Sequence, residues 1–375
     1  MSKKNILVTG GAGFIGSHIV DELVQQGHSV IVLDNLDPQV HGQTRELPTY
    51  KNPGADYVIG DVRDASLVEK LISKVDVIYH EAAAVGVGQS MYEIEHYVDV
   101  NTRGTAILLE GVVKYRDSIE KLIVASSMSI YGEGSYFCKS CGTVHPCIRS
   151  QDRMKCSKWE HVCPLCNADV SAVHTQETKP LHSTSVYAIT KKDQEELCLS
   201  VGSAYGVPVV ALRYFNVYGP RQSLSNPYTG VCAIFSSRIK NGNAPVIYED
   251  GLQSRDFVSV HDIVQANMLA LNNDAMNGNT YNVGSGNSVS VQEVCKTLMR
   301  LYDKSHLSIE LTKTFRAGDI RHCYANIEKI TGSGFTPAVS FDNGMKELVL
   351  WGESVEAHDM AEDAQIELKK RGLIV

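Results

Sequence analysis

Short apolar runs rich in β-branched residues recur along the first 130 residues, and the stretches between them carry helical patterns. Ile6-Leu7-Val8, Val30-Ile31-Val32-Leu33, Tyr57-Val58-Ile59, Val77-Ile78-Tyr79 and Leu122-Ile123-Val124 read as strands. The intervening segments 14–26, 64–74 and 93–116 are long enough for crossover helices. This alternation predicts a parallel sheet covered on both faces. After an atypical stretch at 136–172, the pattern resumes with a helix over about 184–205 and a strand at Val209-Val210-Ala211-Leu212. From about residue 220, short strand candidates (Val246-Ile247-Tyr248, Phe257-Val258-Ser259, Tyr281-Asn282-Val283) and short helices predict a smaller lobe, partly interleaved with the first. The stretch 341–375 reads as a charged amphipathic helix forming a solvated cap.

The composition changes this picture mainly by exclusion. A chain of 375 residues suggests two domains, or one large α/β domain with additions, and 43% apolar with 21% charged residues is a globular balance. A net charge of −8 offers no positive field for nucleic acid. No apolar run approaches the roughly 20 residues of a membrane span, and Ser2-Lys3-Lys4 leads straight into a strand. A cytoplasmic protein with no membrane or nucleic-acid partner is expected.

The first candidate site is Thr9-Gly10-Gly11-Ala12-Gly13-Phe14-Ile15-Gly16, with glycines 10, 13 and 16 between a strand and a helix. Gly10 allows a tight turn, Gly13 close approach of a phosphate, and Gly16 close helix packing. A pyrophosphate could sit there on free backbone N–H groups. Asp34 ends the second strand 24 residues after Gly10, where a carboxylate suits both ribose hydroxyls and repels a 2′-phosphate, favouring NAD over NADP. Asp61-Val62 is a candidate adenine clamp, while Asp64 fits a helix N-cap.

Tyr187 and Lys191 are spaced i, i+4 on one predicted helix face. An ammonium beside a phenol favours the phenolate and makes it a usable base. Ser126 and Ser127 end the fifth strand, at the edge where ligands bind in such sheets.

The chain resembles the extended short-chain dehydrogenases/reductases of the NAD-dependent nucleotide-sugar epimerase/dehydratase family. The resemblance covers nearly the whole chain: TGGAGFIG (9–16), GDVRD (60–64), HEAAAVGVGQS (80–90), VNTRGT (100–105), SSMSIYG (126–132), YAITK (187–191), RYFNVYGPRQ (213–222), EDGLQSRDFVSVHD (249–262), YNVGSG (281–286) and AGDIR (317–321). It implies a Rossmann-type doubly wound sheet in 1–135 and 173–219, and a nucleotide-sugar-binding lobe in 220–375 that partly returns to the first domain. Ser127, Tyr187 and Lys191 would then be catalytic. Gly10, Gly13, Phe14, Ile15, Gly16, Asp34, Asn35, Asp61, Val62, Ala82, Ala83, Ala84, Asn101 and Phe215 would hold NAD. Ser129, Asn216, Arg255, Asp319 and Arg321 would meet the nucleotide-diphosphate sugar, a guanidinium fork matching phosphate oxygens. The resemblance also implies a homodimer formed through the helix at 93–116 and the one bearing Tyr187, with Tyr92 and Tyr97 facing the partner.

Dehydrating relatives carry an Asp-Glu pair after the catalytic hydroxyl residue, whereas Met128 and Ser129 stand here. Ser129 equally lacks the acid or base that decarboxylation or 3,5-epimerisation needs. The expectation is a 4-epimerase that oxidises C4 transiently and keeps its NAD. MSIYGEG, a Cys-rich insert and PLHSTSVYAITKKDQEEL resemble sequences assigned as dTDP-L-rhamnose 4-epimerases. UDP-glucose, UDP-glucuronate and their N-acetylamino relatives stay open as substrates. A cofactor-releasing dehydrogenase or reductase, or a non-catalytic dinucleotide-binding scaffold, stays open as function.

Ser127 and Tyr187 stand 60 positions apart, so some thirty-odd residues are extra relative to the family. The insert, 136–172, holds Cys138-x2-Cys141 and Cys163-x2-Cys166 with 21 residues between the pairs, close to a zinc-ribbon spacing. A structural zinc on Cys138, Cys141, Cys163 and Cys166 is expected, with disulfides, a vacant site or a redox switch as the alternatives. So short an insert cannot bury enough apolar surface to fold alone, and a lobe over the sugar cleft is its expected place. Cys147, Cys156, His145 and His161 read as bystanders.

Overall fold

The structure is a computed structural model that describes residues 2–43, 45–316 and 318–375. Strands β1 (Asn5–Thr9), β2 (Ser29–Asp34), β3 (Asp56–Ile59), β4 (Val77–His80) and β5 (Lys121–Ser127) form on the predicted runs. There follow β6 (Ser135–Cys138), β7 (Gly142–Val144), β8 (Val170–Val173) and β9 (Val209–Tyr214). Next come β10 (Asn216–Tyr218), β11 (Val246–Ile247), β12 (Ser254–Arg255), β13 (Phe257–Ser259) and β14 (Asn279–Val283).

Seven strands form one parallel sheet in the order β14-β9-β5-β4-β1-β2-β3. Helices Phe14–Gln25 and Val260–Asn272 cover one face with Ile19, Leu23 and Ile263. Ala65–Ile72, Gly104–Lys114 and Val186–Tyr205 cover the other with Val68, Leu108 and Cys198. This two-sided cover explains why β5 and β9 are buried throughout and read as continuous apolar runs. The chain winds outward from β1 through β2 to β3, then restarts on the other side at β4. The reversal leaves a crevice at the carboxyl ends of β1 and β4.

Several elements depart from the sequence reading. Tyr281-Asn282-Val283 belongs to β14, the sheet's outer strand, and not to the smaller lobe. The helix expected over 93–116 runs without a break over Ile94–Lys114, with a π-type stretch at Val98–Arg103 inside it. Tyr97 is buried with its hydroxyl donating to Gln89, so it does not face a partner, while Tyr92 is partly exposed and donates to the Tyr228 hydroxyl at 2.6 Å. The C-terminal stretch is two helices, Phe341–Ser354 and Ala361–Lys370. Met345, Leu348 and Val349 recur at i, i+3, i+4 and are buried against Tyr218 and Leu298, so the first helix is core and not a solvated cap.

The insert forms its own antiparallel sheet, β7-β6-β8, over a minimal core of Tyr136, Cys138, Val144 and Cys163. Polar links tie it to the second lobe. Arg149 is bidentate to buried Glu249, with N···O distances of 2.9 and 2.8 Å, and donates to the Asp319 carbonyl. Trp159 packs edge-on against Phe315. Glu133, just ahead of β6, accepts from the backbone N–H groups of Arg321 and His322. Burial opposes its ionisation, yet His161 and those N–H groups hold its carboxyl at about 2.

Candidate active site

The glycine turn between β1 and its helix is shaped by what it cannot accommodate. Gly10 has φ +70°, and a Cβ there would lie 2.9 Å from the Ala82 backbone. A Cβ on Gly16 would lie 2.3 Å from the Gly10 carbonyl, whereas Gly13 meets only that oxygen at 3.3 Å. No side chain caps the helix Phe14–Gln25, so the N–H groups of Phe14, Ile15 and Gly16 are left for a ligand. Asp34 accepts from the N–H groups of Ala12 and Leu36 and holds its carboxylate beside the turn. Asn35 donates to Asp61, whose carboxyl is held at about 2, chiefly by Arg63. Val62 is buried under Gly104, and Asp64 caps the next helix through Ser66 and Leu67. This uncapped, glycine-lined crevice with a carboxylate at the β2 end fits a dinucleotide.

β5 and the helix Val186–Tyr205 bring the reactive groups together. Ser127 caps the short turn Met128–Tyr131, accepting from the Ser129 N–H and, at 2.9 Å, the Ser129 hydroxyl. The Tyr187 phenol lies within reach of Ser127: burial raises its pKa, and the Ser127 hydroxyl opposes that rise. Lys191 is buried and donates to Gln194 at 2.8 Å. Its ammonium is weakened by burial, with Glu81 as the main countering charge. Lys191 lies one helical turn after Tyr187 on the same helix, and burial and the Ser127 hydroxyl are the influences that act on the phenol here.

Residues around this pair serve as its frame. Asn101, in the π-type turns, grips both the N–H and the carbonyl of Ala84 and donates to Thr190, so it braces the Ala82-Ala83-Ala84 segment against the catalytic helix. Phe215 is buried beside Tyr131. His80 bonds Thr9 and Thr105 and is kept neutral by burial, its pKa at about 3. Glu81 was not legible as a site residue. Burial raises its pKa, and it accepts from the Tyr214 hydroxyl at 3.0 Å.

One of the two arginines expected on the diphosphate, Arg321, is committed elsewhere. Arg321 is fully buried, its guanidinium bound by Glu160, Glu249 and Asp250, so no donor is left for phosphate. Its fork matches carboxylates as well as phosphates, which the sequence could not distinguish. Arg255 donates to the backbone carbonyls of Ser254, Ile320 and Arg321. Asn216 has a buried side-chain oxygen without a partner. Ala317, the first residue of AGDIR, lies outside the described residues.

Arg316, unnoticed in the sequence, instead lines a small open cleft with Asp319, Thr184 and Ser185. Its Nε donates to Asp319 at 2.8 Å. Asp319 is the one carboxylate among the described residues lining that cleft, and this bond engages it.

In the insert, the sulfurs of Cys138, Cys141, Cys163 and Cys166 all lie within 4.8 Å of one another. Gly142 (φ +75°) and Asn167 (φ +60°) make the sharp turn after each pair possible. Four convergent thiols on two tight turns fit a tetrahedral thiophilic ion. Cys147 and Cys156 lie exposed, apart from the quartet.

The sequence signature of the NAD dependent epimerase/dehydratase family matches residues 6–150 and 166–284. The chain belongs to that family. A dTDP-L-rhamnose 4-epimerase of Burkholderia thailandensis is 35% identical over 352 residues, covering 93% of this chain and 94% of the relative. The solved UDP-glucose 4-epimerase of Thermotoga maritima, with UDP-glucose bound, superposes with a TM-score of 0.76 at 31% identity, covering 93% of this chain and 99% of that one. The Thermus thermophilus UDP-glucose 4-epimerase with NAD gives 0.74 at 29%, covering 94% and 100%. The protein is thus an NAD-dependent enzyme of the epimerase class with a Rossmann-type sheet. Among the described residues no helix is long and apolar enough to cross a membrane.

Proposed function

We propose that the enzyme is a nucleotide-sugar 4-epimerase acting on dTDP-L-rhamnose and forming dTDP-6-deoxy-L-talose. One observation carries the reading: the Ser127 hydroxyl, at the carboxyl end of β5, is near enough to the Tyr187 phenol to oppose the rise that burial gives its pKa, while Met128 and Ser129 occupy the positions where dehydrating relatives hold carboxylates. Gly10, Gly13, Gly16 and Asp34 would hold NAD, with Lys191 beside its ribose. NAD, when bound, supplies a hydride acceptor at C4 and a positive charge that favours the Tyr187 phenolate. Tyr187 takes the O4 proton and later returns it, and Ser127 steadies the same oxygen by a hydrogen bond. The 4-keto sugar then presents its other face, and no further acid or base is needed. The relative that acts on dTDP-L-rhamnose by name supports the substrate. A second reading, 4-epimerisation of a UDP-hexose, is supported by the UDP-glucose-bound relative.

A structural zinc on Cys138, Cys141, Cys163 and Cys166 would supply the order that the small core of the insert does not. Such a quartet suits a reducing compartment, and we place the enzyme in the cytoplasm. Exposed Ile94, Val98 and Ile189, on neighbouring helical elements, support a homodimer through this face. The purified protein should release NAD on heating and convert dTDP-L-rhamnose without added cofactor. Conversion of UDP-glucose alone would overturn the substrate assignment, and conversion of neither would overturn the epimerase reading.

A further inference from the structure

We propose that the C-terminal segment, residues 361–375, roofs the sugar pocket, and that Leu368 and Leu373 make it select a sugar whose exocyclic carbon is a methyl. The inference rests on the nucleotide-sugar epimerase reading and specifies its substrate class. The helix Ala361–Lys370 turns its buried Leu368 onto Gly88, where an added Cβ would stand only 3.3 Å from the leucine. Arg371 lies 5.0 Å over the Tyr92 ring on that same side of the cleft. Past Gly372 (φ +72°) the chain crosses over, and Val375 exchanges two backbone hydrogen bonds with Phe315, at 3.1 and 3.0 Å. The segment is therefore fastened to both banks of the cleft.

Beneath it lies the cleft that Arg316 lines, open to solvent. One end is polar, with Arg316 for a phosphate oxygen and Thr184 three residues before the catalytic Tyr187. Val87, Met91, Leu368 and Leu373 supply an apolar wall. A sugar tethered by its diphosphate at the arginine, with C4 at Tyr187, would lay its exocyclic carbon against that wall. A methyl gains by this burial, whereas a hydroxymethyl against that wall loses a hydrogen bond to water.

The test compares dTDP-L-rhamnose with its 6-hydroxy counterpart, dTDP-L-mannose, on the holoenzyme. The wild-type enzyme should favour the deoxy sugar in kcat/KM by roughly tenfold to a hundredfold, the range for one group in an apolar pocket. Leu368→Ser or Leu373→Ser should narrow that ratio about tenfold through the KM of the deoxy sugar, with NAD content retained, and Leu368→Met should preserve it. An unchanged ratio in both serine variants overturns the proposal. Calorimetric binding of the two sugars to Tyr187→Phe reads the same preference without turnover. A preference in binding that the serine substitutions narrow, with no turnover of either sugar, would uphold the wall and refute the epimerase reading. Equal turnover of both sugars would do the reverse.

Discussion

Replacing Arg149 by Met tests whether the insert holds the substrate loop. Arg149 is completely buried, bidentate to Glu249, and bonded to the carbonyls of Trp159 and Asp319. Methionine keeps much of the volume and removes every donor. Breaking one side of a buried ion pair costs about 3–5 kcal/mol, and because Arg321 still donates to Glu249 at 2.9 Å the lower end applies. About 3 kcal/mol is roughly a hundredfold in an opening equilibrium. Hydrogen exchange on residues 149–161 and 315–322 should therefore accelerate by roughly that factor, while β1, β4 and β5 keep their protection. The KM for the nucleotide sugar should rise with little change in kcat, because Arg316 and Asp319 lose their support while Tyr187 does not. Unchanged exchange in both segments, or equal acceleration across the central sheet, would refute the reasoning.

Three further outcomes follow from the geometry. Tyr187→Phe should lower kcat by roughly 10²–10⁴-fold while NAD stays bound, and full activity would remove the phenol from the chemistry. Glu81→Gln removes the main charge that raises the pKa of Lys191 against burial, so the ammonium is lost at lower pH and the alkaline limb of kcat should move downward. A pH–rate profile reads this, and an upward or absent shift counts against the coupling. Gly16→Ala sets a Cβ 2.3 Å from the Gly10 carbonyl, so it should lose NAD and thermal stability more than Gly13→Ala, whose nearest contact is 3.3 Å. Equal losses would show that the turn yields.

The middle of the sheet was legible because β4, β5 and β9 are buried throughout and read as unbroken apolar runs. The cysteine quartet was legible because paired spacing constrains geometry strongly. The π-type turns at Val98–Arg103 carry no propensity signal, since Asn101 is placed there by its bonds to Ala84 and Thr190. Arg321 was misassigned because its partners Glu160, Glu249 and Asp250 come from distant parts of the chain, one of them the insert. Arg316 and Leu368 escaped notice for the same reason: the cleft exists only once the tail crosses Phe315. The tail was read as a cap because its charged residues mask a narrow apolar stripe.

The central claim is that C4 is oxidised and reduced in place, with Tyr187 carrying the only proton that moves. dTDP-L-rhamnose deuterated at C4, incubated with the purified protein and no added NAD, should yield the C4 epimer with the deuterium retained. Loss of the label to solvent, or conversion only when NAD is supplied in stoichiometric amounts, would contradict it.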